Sequence, residues 1–157
     1  MREGKAGVTA TTSPGAPAWL PAGAAFHHIG YASPAIERDA AMFAALGYAA
    51  EGATVEDPVQ GVRIAFMTGP GPRIELLQNL PGRDTLTPWL DRGLRMYHLA
   101  WCVVDLDTAL AAALHAGGRA TAAPASAVAV GGRRSVFVML RQGLLVELIE
   151  TEPKEPT

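Results

Sequence analysis

The amino-acid sequence predicts an α+β fold made of two paired copies of a β-α-β-β-β module. Residues 26–31 (FHHIGY) lie 70 residues before residues 96–101 (MYHLAW), and each run has a histidine at its third position. Residues 73–77 (RIELL) lie 72 residues before residues 145–149 (LVELI), and each of these runs has a central glutamate. Between these runs, the helix-like segment 36–46 matches 106–116 at the first offset. One short insertion in a loop explains the change of offset, so both halves have the same predicted structure.

Each half is predicted to contain a strand, a helix and three further strands. Apolar runs predict the first strands at residues 28–32 and 98–104. Helices with apolar side chains at helical spacing then begin at Pro34 and Asp105 and end at Gly47 and Gly117. The further strands are predicted over residues 49–55, 62–68 and 73–78, and over residues 119–123, 135–140 and 144–149. A short helix is predicted over residues 87–92.

The repeat predicts a single domain over residues 25–150, with its modules at about 26–80 and 96–150. Residues 1–24 are mainly small residues, Pro and Thr, and we expect them to form a flexible tail. Trp19 and Leu20 are the exceptions, and local docking of these two side chains is the alternative. Residues 151–157 contain two prolines and alternating charges, and are expected to form a second tail.

The composition and charge of the chain limit the kinds of molecule that it is expected to bind. The net charge is −2, with 49% hydrophobic and 18% charged residues and no block of like charge, so neither nucleic acid nor an anionic membrane is expected. No apolar run approaches the length of about 20 residues that spans a bilayer, and no secretory signal follows the first basic residues. Cys102 is the single cysteine, which excludes an intrachain disulfide. We therefore expect a cytoplasmic protein that acts on a small molecule.

Two histidines and two glutamates recur in register across the repeat: His28, Glu75, His98 and Glu147. Twofold packing of the modules would bring all four to a central axis. Two imidazoles and two carboxylates form a mixed ligand set that suits Co, Mn, Zn, Ni or Fe(II). A lone histidine or strand glutamate is usually structural, and it is the recurrence of both pairs that predicts a metal site.

Three other candidate residues are given structural roles. Strand alternation predicts that His27 faces away from His28 and is not a ligand. His115 is expected on the solvent side of its helix, and Cys102 as a small buried side chain.

Several segments resemble the glyoxalase/vicinal-oxygen-chelate superfamily, and within it the methylmalonyl-CoA epimerase branch. These segments cover nearly all of residues 26–150: 27–32 (HHIGYA), 57–62 (DPVQGV), 74–80 (IELLQNL), 82–85 (GRDT), 97–101 (YHLAW), 131–134 (GGRR) and 143–148 (GLLVEL). The resemblance implies a half-open β-barrel around an octahedral divalent ion held by His28, Glu75, His98 and Glu147. It also implies proton transfer through a metal-stabilised enolate of an acyl-CoA or carrier-bound thioester. A homodimer is common in this fold.

The resemblance also suggests which residues act on the substrate. Glu147 is the candidate base, because Ile64 stands where the bacterial epimerase pattern has a carboxylate. Ile64 cannot move a proton. The loop 131–134 is expected either to cover the thioester or to form a simple turn. The candidate substrate-binding residues are Gln60, Arg63, Tyr31, Trp101 and Arg133, with Tyr31 and Trp101 expected to wall the cavity.

Three functions are compatible with these observations. The first is an epimerase or isomerase of a 2-substituted malonyl thioester. The second is another reaction of the superfamily, such as a lyase, isomerase or oxygenase, and it is favoured by Ile64. The third is a small-molecule binding or resistance protein without catalysis, which needs no metal and which four intact ligands argue against.

Overall fold

A computed structural model describes residues 16–151, so the predictions for residues 1–15 and 152–157 lie outside the described residues. The first module contains β1 (Ala25–Ala32), α1 (Ile36–Ala45), β2 (Ala49–Asp57), β3 (Val62–Thr68) and β4 (Ile74–Asn79). The short helix α2 (Thr87–Leu90) follows. The second module contains β5 (Met96–Val103), α3 (Leu106–His115), β6 (Arg119–Ala120), β7 (Ala125–Ser126), β8 (Arg134–Met139) and β9 (Leu145–Glu150).

The nine strands found within residues 16–151 belong to one mixed sheet, with the order β2-β3-β4-β1-β5-β9-β8-β6 and with β7 also paired to β8. The antiparallel pair β1 and β5 forms the seam between the modules. On either side of this seam, β1 pairs in parallel with β4, and β5 pairs in parallel with β9. The sheet curls without closing. The predicted α+β fold of two paired modules is therefore confirmed, with the four matched strands next to one another at its centre.

The two long helices cover the outer face of the sheet. In α1, Ile36 and Phe43 pack against a cluster that includes Leu76 of β4. In α3, Leu106 and Ala109 pack against the outer face of the second module. Each helix is followed by a glycine at positive φ, where the absence of a Cβ permits a left-handed ending. Neither long helix lies on the inner face, where the short helix α2 packs instead: its Trp89 ring lies 4.8 Å from that of Tyr97, between centroids.

The third element of the second module differs from its prediction. The strand predicted over residues 119–123 is reduced to the two-residue strand β6, and the chain pairs again with β8 only at β7. Pro124 lies between the two short strands. Proline has no N–H to donate to the ladder, so it interrupts the pairing.

The segment before β1 belongs in part to the packed domain. Leu20 is 4% exposed and Ala24 is 3% exposed, and both join the core cluster beneath α3 together with Trp101. Trp19 packs against the same cluster. Trp19 and Leu20 therefore dock onto the domain, which was the alternative to a flexible tail. The packed part of the chain begins before the predicted boundary at residue 25. Within residues 16–151, no helix is long and apolar enough to cross a membrane.

Candidate metal centre

The four central strands each supply one ionisable side chain to the inner face. His28 lies on β1 and His98 on β5, while Glu75 of β4 pairs with Gly30 and Glu147 of β9 pairs with Ala100. Both histidines are 0% exposed and both glutamates are 4% exposed. The repeat and the seam together bring into one place residues that are as much as 119 positions apart in the sequence.

The donor atoms of these residues converge. The Nε2 atoms of His28 and His98 lie 2.9 Å apart, and Oε2 of Glu75 lies 3.0 and 3.2 Å from them. Oε2 of Glu147 lies 3.5 Å from each Nε2. Donors that bind one ion at about 2.1 Å and at right angles to one another are about 3.0 Å apart. The donor set and its spacing therefore fit a divalent transition metal ion.

The electrostatics of the cluster favour a cation. Burial alone would raise the pKa of Glu75, but its contacts with His28 and His98 outweigh burial and lower the pKa below its usual range. Burial alone would lower the pKa of His98, but Glu147 and Glu75 raise it to about 9. Without a metal ion, a proton on an imidazole balances part of the buried negative charge. A divalent ion would take over this role.

The chain leaves space for the His98 ring. Gly30 is the partner of His98 across the β1–β5 seam, and a Cβ at Gly30 would overlap the ring. The equivalent position in the other module is Ala100, which is opposite His28. A phenylalanine ring lies nearly perpendicular to each imidazole: Phe66 is 5.3 Å from His28 and Phe137 is 5.1 Å from His98, between ring centroids.

Phe66 and Phe137 were not predicted as site residues. They are the cross-strand partners of Glu75 and Glu147, respectively. The sequence feature that could have predicted them is that a phenylalanine occurs at equivalent places in the two halves of the repeat.

His27 contacts His28, which contradicts the prediction that it faces away. A β-bulge pairs Phe26 with Trp101 and His28 with Ala100, so that His27 has no partner of its own in the ladder. A bulge breaks the alternation of side chains on which the prediction rested. The Nδ1 atoms of His27 and His28 are consequently 2.7 Å apart.

His27 is half-buried and has cationic neighbours. Burial, followed by His28, Arg73 and Arg133, lowers the pKa of His27 to about 4. Arg73 donates from Nη1 to Nε2 of His27 at 3.0 Å. His27 is therefore a neutral neighbour of the cluster at physiological pH.

Tyr97 occupies the equivalent bulge in the second module. The register shifts between Gly30 and Tyr31, which are opposite His98 and Met96, so Tyr97 is the extra residue. Its ring centroid lies 5.0 Å from that of His98. Burial, together with Glu147 and Glu75, raises the pKa of the Tyr97 phenol to about 12.

A cavity of about 270 Å³ lies beside the aromatic neighbours of the cluster, and none of the four cluster residues themselves lines it. Tyr97 and Phe137, which both contact the His98 ring, form part of its wall. The predicted substrate-binding residue Gln60 also lies on this wall, with Asp57, Thr85 and Ser126. Asp57 is buried and its Oδ1 accepts a hydrogen bond from the backbone N–H of Gln60.

Three of the predicted substrate-binding residues lie on the outer face of the sheet. Tyr31 packs against Phe43 of α1, and Trp101 packs beneath α3, so the prediction that they wall the cavity is wrong. Both follow a ligand histidine by three positions, and side chains at odd spacing along a regular strand lie on opposite faces. Arg63 donates from Nη2 to Glu37 of α1 at 2.9 Å, which directs it away from the cavity.

Arg133 is held by its own loop. Its Nε donates to the carbonyl of Val130 at 2.9 Å, and its Nη1 lies 3.7 Å from Sγ of Cys102. It is not among the residues that line the cavity. The loop 131–134 was predicted either to cover the thioester or to form a simple turn. Its hydrogen bonds are those of a simple turn, which follows the 3-10 helix Val128–Val130.

Ile64 is 1% exposed and belongs to an apolar cluster with Val62, Phe66 and Leu77. Tyr97 has the one ionisable side chain of this cluster. Its phenol has a raised pKa and does not lose its proton at neutral pH. The β3 wall of the site therefore lacks a base.

The family described as "Glyoxalase/Bleomycin resistance protein/Dioxygenase superfamily" matches residues 27–137. The chain belongs to this superfamily. Superfamily members commonly use a divalent metal ion, and the cluster of this chain has the composition and spacing to bind one.

Individual relatives agree with this assignment. An "Ethylmalonyl-CoA/methylmalonyl-CoA epimerase" from Cereibacter sphaeroides is 28% identical over 126 residues, which cover 78% of this chain and 94% of that protein. The methylmalonyl-CoA epimerase from Mycobacterium tuberculosis is 26% identical with a TM-score of 0.70, covering 82% of this chain and 89% of that chain. A hypothetical protein from Bacillus halodurans is 23% identical with a TM-score of 0.72, covering 86% and 99%. The resemblance to the epimerase-like branch is thus confirmed.

Proposed function

We propose that the protein is a metal-dependent epimerase or isomerase of a 2-substituted malonyl thioester, such as methylmalonyl-CoA. The observation that carries this proposal is the buried cluster of His28, Glu75, His98 and Glu147 beside a cavity, in a chain similar to methylmalonyl-CoA epimerases. A bound divalent ion would supply Lewis-acid stabilisation of the negative charge that develops on the substrate oxygens.

Glu147 is the proposed proton-transfer group. It lies on β9, across the cluster from the apolar β3 wall that contains Ile64. Its Oε2 lies 3.5 Å from each imidazole Nε2, farther than Oε2 of Glu75, which lies 3.0 and 3.2 Å from them. Glu147 is therefore the less tightly held carboxylate. The shorter contacts of Glu75 are those expected of a residue that only binds the ion and does not transfer a proton.

The size of the cavity indicates which part of the substrate it would hold. A volume of about 270 Å³ is at the lower end for ligand pockets and suits a short branched acyl group. Alanine side chains and hydroxyl groups contribute to the wall, and Asp57 makes it unsuitable for phosphate groups. The nucleotide of a CoA thioester, or a carrier protein, would lie outside the cavity.

The test is exchange of the C2 proton. Metal-loaded protein in deuterium oxide is expected to incorporate deuterium into methylmalonyl-CoA, and a chelator is expected to abolish this incorporation. Mass spectrometry measures it, and metal analysis of the purified protein gives the stoichiometry. Failure of the metal-loaded protein to exchange the C2 proton would end the epimerase proposal.

The two glutamates provide matched variants. Glu147→Gln is expected to reduce the exchange rate by at least about 100-fold, because an amide cannot accept the proton. Glu75→Gln is expected to leave exchange within about 10-fold of wild type, because a ligand amide oxygen can still bind an ion. Equal losses in both variants, with metal content unchanged, would instead make Glu75 a partner in proton transfer.

The lack of a base on the β3 wall supports a second candidate, another reaction of the superfamily on a different substrate. Oxygen consumption by the Fe(II)-loaded protein, or turnover of a diketone or catechol without exchange of methylmalonyl-CoA, would favour it. A protein that binds none of the candidate metals would point instead to a binding or resistance role.

Three further expectations stay predictions: a homodimer, a cytoplasmic location and no affinity for nucleic acid. Sedimentation velocity of the full chain tests the first. A filter-binding assay with DNA and RNA tests the last.

A further inference from the structure

Three buried polar side chains on the cavity wall keep hydrogen-bonding capacity that no group within residues 16–151 uses. Oδ1 of Asp57 accepts a hydrogen bond from the backbone N–H of Gln60, but Oδ2 has no partner in that range. The hydroxyl groups of Tyr97 and Ser135 likewise make no hydrogen bond there. Asp57 is 4% exposed, and the other two residues are 7% exposed. Buried polar groups nearly always have partners, so these three point to a ligand.

The unpaired oxygens face the cavity. Asp57 is the cross-strand partner of Val62, which belongs to the apolar cluster on the inner face, so the Asp57 carboxylate lies on that face too. Ser135 is two positions from Phe137 on β8 and shares its face. In the part of the chain that the structure describes, Nδ1 of His98 is the one side-chain nitrogen or oxygen that is both fully enclosed and unpaired. The three unpaired oxygens are therefore open to the space that their residues line.

The loop after β2 holds Asp57 in place before any ligand binds. The carbonyl of Asp57 accepts a hydrogen bond from the N–H of Gly61 at 2.7 Å, and its Oδ1 accepts one from the N–H of Gln60 at 2.9 Å. Arg83 donates from Nη1 to a carbonyl of this loop at 3.0 Å. Thr85 donates from Oγ1 to the carbonyl of Gln60 at 2.6 Å. A polar group that is fixed in this way needs little reorganisation to bind a ligand.

The chemistry of the three oxygens defines the group that they can recognise. A carboxylate only accepts hydrogen bonds, whereas a phenol and an alcohol both donate and accept. A ligand hydroxyl group can therefore donate to Asp57 and accept from Tyr97 or Ser135. An alkyl group would displace water from these oxygens without replacing its hydrogen bonds, which lowers affinity. An anionic group would meet the charge of Asp57, which is in none of the ion pairs within residues 16–151.

We propose that this cavity selects substrates whose C2 substituent ends in a hydroxyl group, with Asp57 as the specificity-determining residue and Tyr97 and Ser135 as further hydrogen-bonding partners. The inference rests on the proposed function, since it names the kind of 2-substituted malonyl thioester that the site takes. None of the four cluster residues lines the cavity, so the substituent is recognised apart from the metal centre. Loss of this recognition is expected to leave proton transfer at C2 intact.

Two thioesters of matched size test the preference: 2-(3-hydroxypropyl)malonyl-CoA and 2-butylmalonyl-CoA. For exchange of the C2 proton by the metal-loaded protein, the hydroxyl compound is expected to have a kcat/KM about 10- to 100-fold higher, because it makes a hydrogen bond to a charged group. The 3-methoxypropyl compound accepts hydrogen bonds but cannot donate one, so it should resemble the butyl compound. A 3-aminopropyl compound that is preferred over the hydroxyl compound would overturn the assignment of a hydroxyl group.

Variants test the residues. Asp57→Asn retains an oxygen for the N–H of Gln60, and it is expected to reduce the preference for the hydroxyl compound by about 10-fold, because a neutral amide accepts more weakly than a carboxylate. Its kcat/KM for the butyl compound should stay close to that of wild type. Tyr97→Phe and Ser135→Ala are expected to lower the preference by smaller factors. Glu56→Gln is the matched control, since Glu56 is the exposed neighbour of Asp57 on β2, and it should leave the preference unchanged.

Equal kcat/KM for the hydroxyl and butyl compounds, in a protein that exchanges the C2 proton of methylmalonyl-CoA, would overturn this inference and leave the proposed function standing. An undiminished preference in Asp57→Asn would overturn the role of Asp57. If that variant does not fold, the double variant Tyr97→Phe/Ser135→Ala decides the question by the same measurement. Isothermal titration gives the preference as a ratio of Kd values in a protein without turnover. A protein that binds none of these thioesters would refute both this inference and the proposed function.

Discussion

Gly30 and Ala100 occupy equivalent positions of the repeat, but they face the two histidines of the buried cluster differently. Gly30 is opposite His98, and the His98 ring occupies the space that a Cβ at residue 30 would take. Ala100 is opposite His28, and its methyl group is fully buried there. The missing side chain at residue 30 thus leaves the space that the His98 ring occupies.

Gly30→Ala is expected to lower metal affinity by at least about 10-fold, because the added methyl group must displace the His98 ring. Isothermal titration with Zn²⁺ measures this. Ala100→Gly is the control, since it removes a methyl group rather than adding one. It is expected to lower stability by about 1 kcal/mol and to leave metal affinity unchanged. Equal Zn²⁺ affinity in Gly30→Ala and wild type would contradict the role given to Gly30.

At the residue scale, the four residues of the buried His/Glu cluster were predictable because each recurs at the same place in a duplicated pattern. His27 was not, because its contact with His28 depends on a bulge. A bulge is a property of the pairing between two strands, and the sequence of one strand does not reveal it. Tyr31 and Trp101 were predicted to wall the cavity because they lie close in sequence to His28 and His98. The alternation of side chains along a strand places them on the opposite face of the sheet instead.

At the element scale, α3 begins where the sequence predicts because Asp105 caps it. Its Oδ1 accepts a hydrogen bond from the backbone N–H of Thr108 at 2.8 Å. This bond lowers the pKa of Asp105 below its ordinary value. The ionised cap therefore stabilises the fold above the unfolded-state pKa of Asp105, and this contribution is lost as the pH falls through the lower folded-state value.

Asp105→Ala is expected to lower the melting temperature at pH 7 by about 2–4 °C, whereas Asp105→Asn retains a capping oxygen and should lower it less. Because the amide does not titrate, the difference between wild type and Asp105→Asn should shrink between pH 6 and pH 3. Thermal melts followed by circular dichroism measure both effects. A difference that is constant over this range would contradict the titrating cap.

The strands beyond the ligand positions were less predictable. Periodicity gave β2 and β3 within two residues of their observed ends. It predicted a strand over residues 119–123, where only the two-residue β6 forms, and it did not predict β7. Pro124 was visible in the sequence, and its effect is that of any proline inside a ladder. The pairing of β7 with β8 after this interruption is decided by tertiary contacts.

At the scale of the whole molecule, the segment before β1 closes the core of the second module. Leu20 packs beneath α3 although it precedes the first module in sequence. Leu20→Ala is expected to lower the free energy of unfolding by about 2–5 kcal/mol, measured by urea denaturation. Val59→Ala, at a side chain that is 81% exposed, should change it by less than about 0.5 kcal/mol.

Metal affinity should be unchanged in Leu20→Ala, because this cluster lies on the outer face of the sheet, away from the ligands. Equal stability of Leu20→Ala and wild type would mean that residues 16–24 do not contribute to the domain. Loss of metal binding without loss of stability would place Leu20 at the site instead.

The sequence by itself determined the duplicated architecture and the four residues of the buried His/Glu cluster, because a repeat shows which positions are equivalent even when their contacts are unknown. Only the tertiary structure decided which residues surround that cluster. The β1–β5 seam, its two bulges and the choice of sheet face place His27, Gly30, Phe66 and Phe137 around the imidazoles. These neighbours arise from pairing between distant strands, and the energy of that pairing depends on both partners at once.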